Sequence, residues 1–381
     1  MQQMSHPLQP LTRHYAERPL LVYWEMTQAC ALACRHCRAE AMPFHHPLEL
    51  TTTEGQQLLE RIAAFGDPQP HLVLTGGDPL QRTDLFDLID KARALGLKVS
   101  ITPSATPNLT GAVIAQLKAH GLQSLGLSLD GSTAIQHDAV RGVAGCFERT
   151  REAIAAAAEI SLPVQINTLV TNETADDLPA IYEHLRSLKV MRWSLFFLVA
   201  MGRGRGLQEV SPESGESLMH WVYELSGQAP FAIKTTEAPS YRRVALNRLR
   251  QAGMTPEQIR RTSAYQGFGI RDGYGIMFIS NTGDIYPSGF LPLGSGNVRV
   301  EDLTEIYRRA PLFRRLHDPD QFKGKCGACE YRRLCGGSRA RAFAHTGDPL
   351  ESDPFCPYQP AREAIETFIT CRPLPFDHLM C

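Results

Sequence analysis

Between residues 20 and 198 the chain alternates short runs rich in β-branched and aromatic residues with longer runs of helical hydrophobic period. The short runs predict strands over 20–26, 71–75, 98–102, 124–129, 164–169 and 193–198, and the longer ones predict helices over 53–65, 84–95, 111–120, 147–160 and 175–188. The first helix opens on Thr51 with Glu54 three residues later, the signature of a capping box. Strand–helix–strand repetition with tight links implies parallel strands joined by right-handed crossovers. Six such units predict an α/β fold built as a partial barrel of the (β/α)6 kind, short of the full eight. In that architecture chemistry gathers at the C-terminal edge of the sheet. A cysteine-bearing loop follows strand one, Gly76-Gly77-Asp78-Pro79 follows strand two, and Ser128-Leu129-Asp130-Gly131 closes strand four.

After Arg203-Gly204-Arg205-Gly206 the alternation stops. The pattern divides the chain into an N-terminal extension over 1–19, the barrel core over 20–206, a helical, Arg-rich bridge over 207–274, a small α+β domain over 275–360 and a tail over 361–381. The small domain opens on a hairpin signal, 276–280 and Ile285-Tyr286 around the turn Asn281-Thr282-Gly283-Asp284. No apolar stretch approaches the ~20 residues of a membrane span, and the first twenty residues lack the apolar core of a secretory signal. Lys+Arg number 39 against 40 Asp+Glu, which leaves no global field for a nucleic acid or an anionic membrane. The expected location is the cytoplasm.

Ten cysteines in a reducing compartment read as metal ligands rather than disulfides. Cys30, Cys34 and Cys37 have the spacing C-x3-C-x2-C on one loop, one thiolate short of a structural zinc site. A cubane iron–sulfur cluster has four irons, so three thiolates leave one iron open to an external ligand. Cys326, Cys329, Cys335 and Cys356 supply four thiolates, and their spacing alone suits structural zinc and a cubane equally. Cys146 reads as a packed core thiol, and Cys371 and Cys381 lie in the tail without an assigned role.

Residues 30–37 resemble the signature of the radical S-adenosylmethionine (SAM) enzymes, with His36 where an aromatic often stands. Gly76, Gly77, Asp78 and Pro79 resemble that family's GGEP-type turn, with Asp in the place of the commoner Glu. The resemblance spans about residues 20 to 200. It implies that the turn receives the SAM ammonium, that Ser128, Asp130 and Arg141 engage the SAM carboxylate or ribose, and that Asn167 is a ribose partner. It also implies that a reduced [4Fe–4S] cluster on Cys30, Cys34 and Cys37 cleaves SAM to methionine and a 5′-deoxyadenosyl radical, which abstracts a substrate hydrogen. A low-potential donor such as flavodoxin or ferredoxin would supply the electron.

The segments around Cys326 to Cys335, with Gly336-Gly337-Ser338-Arg339-Ala340-Arg341-Ala342 and Asp353-Pro354, resemble a SPASM domain, which holds auxiliary iron–sulfur clusters behind the barrel. Ser288 and Ser338 stand where ligands of a second auxiliary cluster are expected, so the resemblance implies one auxiliary [4Fe–4S] cluster. Within this class the chain most resembles the enzymes of alternative heme and heme d1 synthesis, which act on propionate side chains of iron porphyrinoids. Arg242, Arg243, Arg248, Arg250, Arg260 and Arg261 could then clamp carboxylates, or form a solvated helix face. The competing readings are a SPASM-class peptide maturase and a non-enzymatic zinc module. His36, His137 and His345 stand near motifs without an acid–base role being assigned.

Overall fold

The computed structural model describes residues 15–262, 265 and 269–360. Each β-branched or aromatic run of the first half becomes one strand of a single sheet. These are β1 (Leu21–Glu25), β2 (His71–Thr75), β3 (Lys98–Ile101), β4 (Ser124–Ser128), β5 (Val164–Val170) and β6 (Arg192–Phe197), all parallel to their neighbours. The amphipathic runs become α1 (Thr52–Ala63), α2 (Leu85–Ala94), α3 (Gly111–Ala119), α5 (Cys146–Glu159) and α6 (Leu178–Arg186). One short helix, α4 (Ala134–Arg141), was not expected; it lies between strand four and the next expected helix and ends on Arg141. Thr51 and Glu54 form the capping box of α1 reciprocally, and Arg299 joins Glu54 at 2.6 Å.

Alternation along the strands sorts the two faces of the sheet. Val22, Trp24, Leu72, Leu74, Val99, Ile101, Leu125 and Ile166 point outward and pack with Leu58, Leu59, Ile62, Leu88 and Ile154 of the helices in one buried core. On the opposite face, Tyr23, His71, Val73 and Thr75 line the inside of the curved sheet and are only half-buried. The concave side of the partial barrel is therefore partly polar and accessible.

Three strands extend the sheet beyond the six expected of the barrel. In the bridge, α7 (Pro212–Ser226), α8 (Tyr241–Gln251) and α9 (Pro256–Arg260) are helical as expected, but Ala232–Thr236 forms β7, parallel to β6. Its sequence, Ala-Ile-Lys-Thr-Thr, has little apolar signal because it lies at a sheet edge with much of its surface exposed. The hairpin forms as expected from β8 (Ile276–Ile279) and β9 (Ile285–Tyr286), yet β8 adds to the barrel sheet in parallel beside β1. The order is β7-β6-β5-β4-β3-β2-β1-β8-β9. The hairpin thus ties the small domain to the barrel.

Beyond the hairpin the chain forms helices Leu303–Arg309, Pro311–His317, Gly324–Gly327 and Arg339–Thr346. Arg339 and Arg341 of the last are fully buried. Arg341 donates to the Leu198 carbonyl at 2.8 Å and the Glu237 carbonyl at 2.7 Å and lies over the Phe355 ring, fastening this domain to the end of β6. Among the described residues no helix is long and apolar enough to cross a membrane. Residues 1–14 and the tail over 361–381, with Cys371 and Cys381, lie outside the described residues.

Candidate active site and a second cysteine centre

Where β1 ends, the chain turns through Thr27 to Ala29 into the loop that carries Cys30, Cys34 and Cys37. The turn after β2, the end of α4 and the segment after β6 hold that loop by its backbone. Gly77 N–H donates to Thr27 O at 2.7 Å, Asp78 N–H to Ala29 O at 2.8 Å, Arg35 N–H to Val140 O at 3.0 Å and Arg203 N–H to Cys37 O at 3.1 Å. Two glycines permit this approach. A Cβ on Gly77 would stand 2.5 Å from Ala29 O, and one on Gly202, whose φ is +50°, would stand 2.6 Å from both Cys37 O and Arg38 O. The glycine turn after β2 is thus needed for packing against the cysteine loop, whatever else it touches.

Each of the three thiols on this loop faces an N–H donor. Leu32 N–H points at Cys30 Sγ at 3.3 Å, Ala41 N–H at Cys37 Sγ at 3.4 Å, and Arg141 Nη1 at Cys34 Sγ at 3.7 Å. Cys146 is the reverse case, a thiol that donates to Ala105 O at 3.7 Å and whose pKa burial pushes up to about 11. A sulfur that receives an N–H suits a thiolate bound to a cation, whereas a sulfur whose one polar contact is a carbonyl must keep its proton; Cys30 also lies 3.3 Å from Ser104 Oγ. By this chemistry the three-cysteine loop fits an iron–sulfur cluster, and Cys146 is a protonated core thiol.

The loop forms one wall of a cavity of about 220 Å³. His36, Gly76, Gly77, Ser128, Asp130, Arg141 and Asn167 line it with the three cysteines, so the structure gathers most of the expected site residues. Ser128 and Asn167 are direct partners across β4 and β5. Asp130 is buried, paired with Arg141 Nη2 at 2.5 Å, and accepts the Leu169 N–H at 2.7 Å. Burial alone would raise its carboxyl, but the Arg141 guanidinium and the nearby histidines outweigh that and hold it below the ordinary range. His137 accepts the Asp130 N–H through Nδ1 at 2.9 Å, and burial with Arg141 lowers its pKa to about 4. His36 is lowered to about 4 by the same causes. Both imidazoles are neutral at pH 7.

Asp78 and Pro79 are not in the lining. The Asp78 carboxylate turns away, accepting from Leu80 N–H at 3.2 Å, Ser104 N–H at 3.3 Å and Thr106 Oγ1 at 2.9 Å. It braces the Gly-Gly turn against the loop after β3, and burial pushes its pKa up. Sequence reasoning missed several lining residues. Thr102 and Ser104 follow β3 with no motif to mark them, and Leu198, Val199, Met201 and Arg203 follow β6. The Arg203-Gly204-Arg205-Gly206 run was the available signal, noticed only as the end of the alternation.

The second centre is built the same way. Cys326, Cys329, Cys335 and Cys356 line one small pocket with Tyr331, Gly337 and Tyr358. Asp353, Tyr331 and Gly337 N–H groups each point at one sulfur, of Cys326, Cys329 and Cys335 respectively, at 3.4 Å. The Tyr358 N–H serves Cys356. Burial pushes Cys335 up to about 12 and Cys329 up to about 11, so these thiols would ionise near pH 7 only with a cation in contact. Among the described residues no three His, Cys, Asp or Glu groups are placed to hold a single metal ion. Four thiols around one pocket suit a cubane, in which each thiolate binds its own iron. Ser338 is committed elsewhere, capping the helix Arg339–Thr346 at the Arg341 N–H and donating to Glu237 at 2.5 Å. Ser288 Oγ accepts the Phe290 N–H at 3.3 Å.

The arginines of the bridge do not reach the cavity. Arg243 lines the second cysteine pocket, paired with Glu216 and stacked on Tyr358. Arg242 donates to Leu334 O at 3.4 Å and Arg250 to Tyr331 Oη at 3.5 Å. Arg248 pairs with Glu224 and Arg261 with Glu257, while Arg260 is exposed. The carboxylate clamp is corrected accordingly: these side chains support the second centre or face solvent, because α8 packs on the small domain rather than over the sheet's C-terminal edge. His345 pairs with Glu209 at 3.1 Å, away from the cavity.

Known proteins align with this arrangement. Residues 24–185 match the family described as the radical SAM superfamily. The chain is 38% identical over 347 residues to an AdoMet-dependent heme synthase of Methanosarcina barkeri, a match covering 91% of this chain and 98% of that relative. It is 37% identical over 347 residues to the AdoMet-dependent heme synthase of Oleidesulfovibrio alaskensis, covering 90% and 88%. Among solved structures, Streptococcus suis SuiB bound to precursor peptide SuiA has a TM-score of 0.70 at 19% identity, over 90% of this chain and 76% of that one. With the match over β1 to α6 and near full-length relatives above 30% identity, the chain belongs to the radical SAM superfamily, whose enzymes use SAM and a [4Fe–4S] cluster.

Proposed function

We propose that this protein is a radical SAM enzyme that modifies propionate side chains of a heme-type tetrapyrrole. The observation that carries the reading is the likeness, over nine-tenths of the chain, to relatives named AdoMet-dependent heme synthases. Cys30, Cys34 and Cys37 would hold the SAM-cleaving cluster, with Ser128, Asp130, Arg141, Asn167, His36, Gly76 and Gly77 around SAM in the cavity. Asp78 and Pro79 would shape the turn from behind. When bound, cluster and SAM supply the radical that takes a substrate hydrogen; the protein orients both partners and keeps water out.

The four-cysteine centre would hold one auxiliary [4Fe–4S] cluster serving electron transfer. Seven N–H-solvated sulfurs support that assignment. A low-potential flavodoxin or ferredoxin in the cytoplasm would supply the electron. The peptide-maturase reading rests on likeness to a mycofactocin maturase at 30% identity and to PqqA peptide cyclases at 28%, which carries less weight than the heme-synthase relatives at 37–38%.

The test is an anaerobic assay of the reconstituted, reduced protein with SAM, with and without an iron porphyrin bearing propionates. Stimulated 5′-deoxyadenosine formation with loss of porphyrin mass is expected. Turnover of SAM that ignores the porphyrin but responds to a peptide would replace this reading with the maturase one.

A further inference from the structure

Three arginines line the cavity: Arg38, Arg141 and Arg203. Two of them are already neutralised. Arg38 pairs with Glu25 at 2.5 Å and lies over the Phe278 ring, and Arg141 pairs with Asp130 at 2.5 Å. Arg203 has no carboxylate partner among the described residues. Its Nη1 reaches Ala41 O only at 3.5 Å, and its Nε and Nη2 are shut from solvent with no hydrogen-bond partner. A desolvated guanidinium with two idle donors is costly unless an anion completes it. Nε and one Nη form the fork that matches a carboxylate.

The position of Arg203 distinguishes two sources of that anion. Its backbone is fixed to Cys37 O at the β6 end of the cavity, while Arg141, held by Asp130 and placed beside SAM in the proposed site, reaches the loop at Cys34 from the β4 side. The lining residues that lead from β6 to Arg203, Leu198, Val199 and Met201, are apolar, and Phe290 packs with Val199 and Met201. A flat apolar ring system that projects a carboxylate fits this wall. Resting on the tetrapyrrole reading, we propose that Arg203 is the receptor for a substrate carboxylate, holding one propionate of the macrocycle at the β6 side of the cavity.

The test titrates iron-loaded, SAM-free protein with an iron porphyrin bearing free propionates and with its fully esterified form, following the porphyrin absorbance. Wild-type protein is expected to favour the acid about tenfold or more. In R203Q the acid should bind about ten- to hundredfold more weakly and the ester about as before. R203K should recover part of the loss, since a lysine keeps the charge without the fork; it also replaces R203Q should that variant not load iron. SAM affinity is titrated in parallel. An unchanged preference for the acid in R203Q overturns the assignment. So does a loss confined to SAM, which would make Arg203 the receptor of the cofactor's own carboxylate. Wild-type protein that binds neither porphyrin instead overturns the tetrapyrrole reading on which the assignment rests.

Discussion

The eight cysteines among the described residues differ in what points at their sulfurs, and this separates ligands from bystander more sharply than spacing does. Seven receive an N–H; Cys146 gives its proton to Ala105 O. Cys146→Ser keeps a donor of similar size and should retain the full iron content, about eight per chain if both centres hold cubanes. Cys335→Ser should fall to about four, measured with acid-labile sulfide. Equal losses from the two variants would contradict the distinction. At this scale the sequence was informative where a residue's chemistry needs no partner to be recognised. The cysteine loop, Gly76, Gly77, Ser128 and Arg141 were all legible. Arg203 was not, because its significance is that nothing pairs with it, and pairing exists only in three dimensions. The partners of Asp78 were hidden for the same reason: the resemblance placed it in the SAM-binding turn, whereas Ser104 and Thr106, remote in sequence, claim its carboxylate.

The helix Arg339–Thr346 shows how a motif can be structural. Within it, Arg341 meets Leu198 O and Glu237 O, with Asp353 at 3.6 Å and Glu209 at 3.5 Å. Burial, with Asp272 nearby, pushes the Glu237 carboxyl up to about 8, so it is held neutral at pH 7 and leaves Asp353 as the buried charge facing Arg341. Arg341→Met would leave buried Asp353 without its cation and should destabilise the protein by about 3 kcal/mol or more. Arg261→Ala removes only the exposed pair with Glu257 and should cost less than about 1 kcal/mol. Thermal unfolding of the two variants compares them directly, and similar small shifts would mean that Arg341 does not fasten the domains. The elements themselves were mostly legible: six strands and five helices follow from periodicity, since buried strands and amphipathic helices advertise themselves. β7 escaped because an exposed edge strand has no apolar alternation, and α4 because eight residues are too few to establish a period.

The whole molecule places two cysteine centres on one continuous support. The cavity stands at the C-terminal ends of β1 to β6, and the second centre belongs to a domain joined to the same sheet through β8 and bolted to the end of β6 by Arg341. This continuity was the least legible feature, because the pairing of β8 with β1 joins residues some 250 positions apart and leaves no local trace. It gives both centres a fixed relation, as electron transfer between a substrate radical and an auxiliary cluster would require. The central claim, that a hydrogen of a tetrapyrrole propionate is taken in this cavity, is tested most directly by isotope transfer. The reconstituted protein would be given SAM, a reductant and an iron porphyrin deuterated in its propionate side chains, and the 5′-deoxyadenosine analysed by mass spectrometry. Deuterium in the deoxyadenosine, matched by a change in porphyrin mass, is the predicted result. Unlabelled deoxyadenosine beside an unchanged porphyrin would contradict the account.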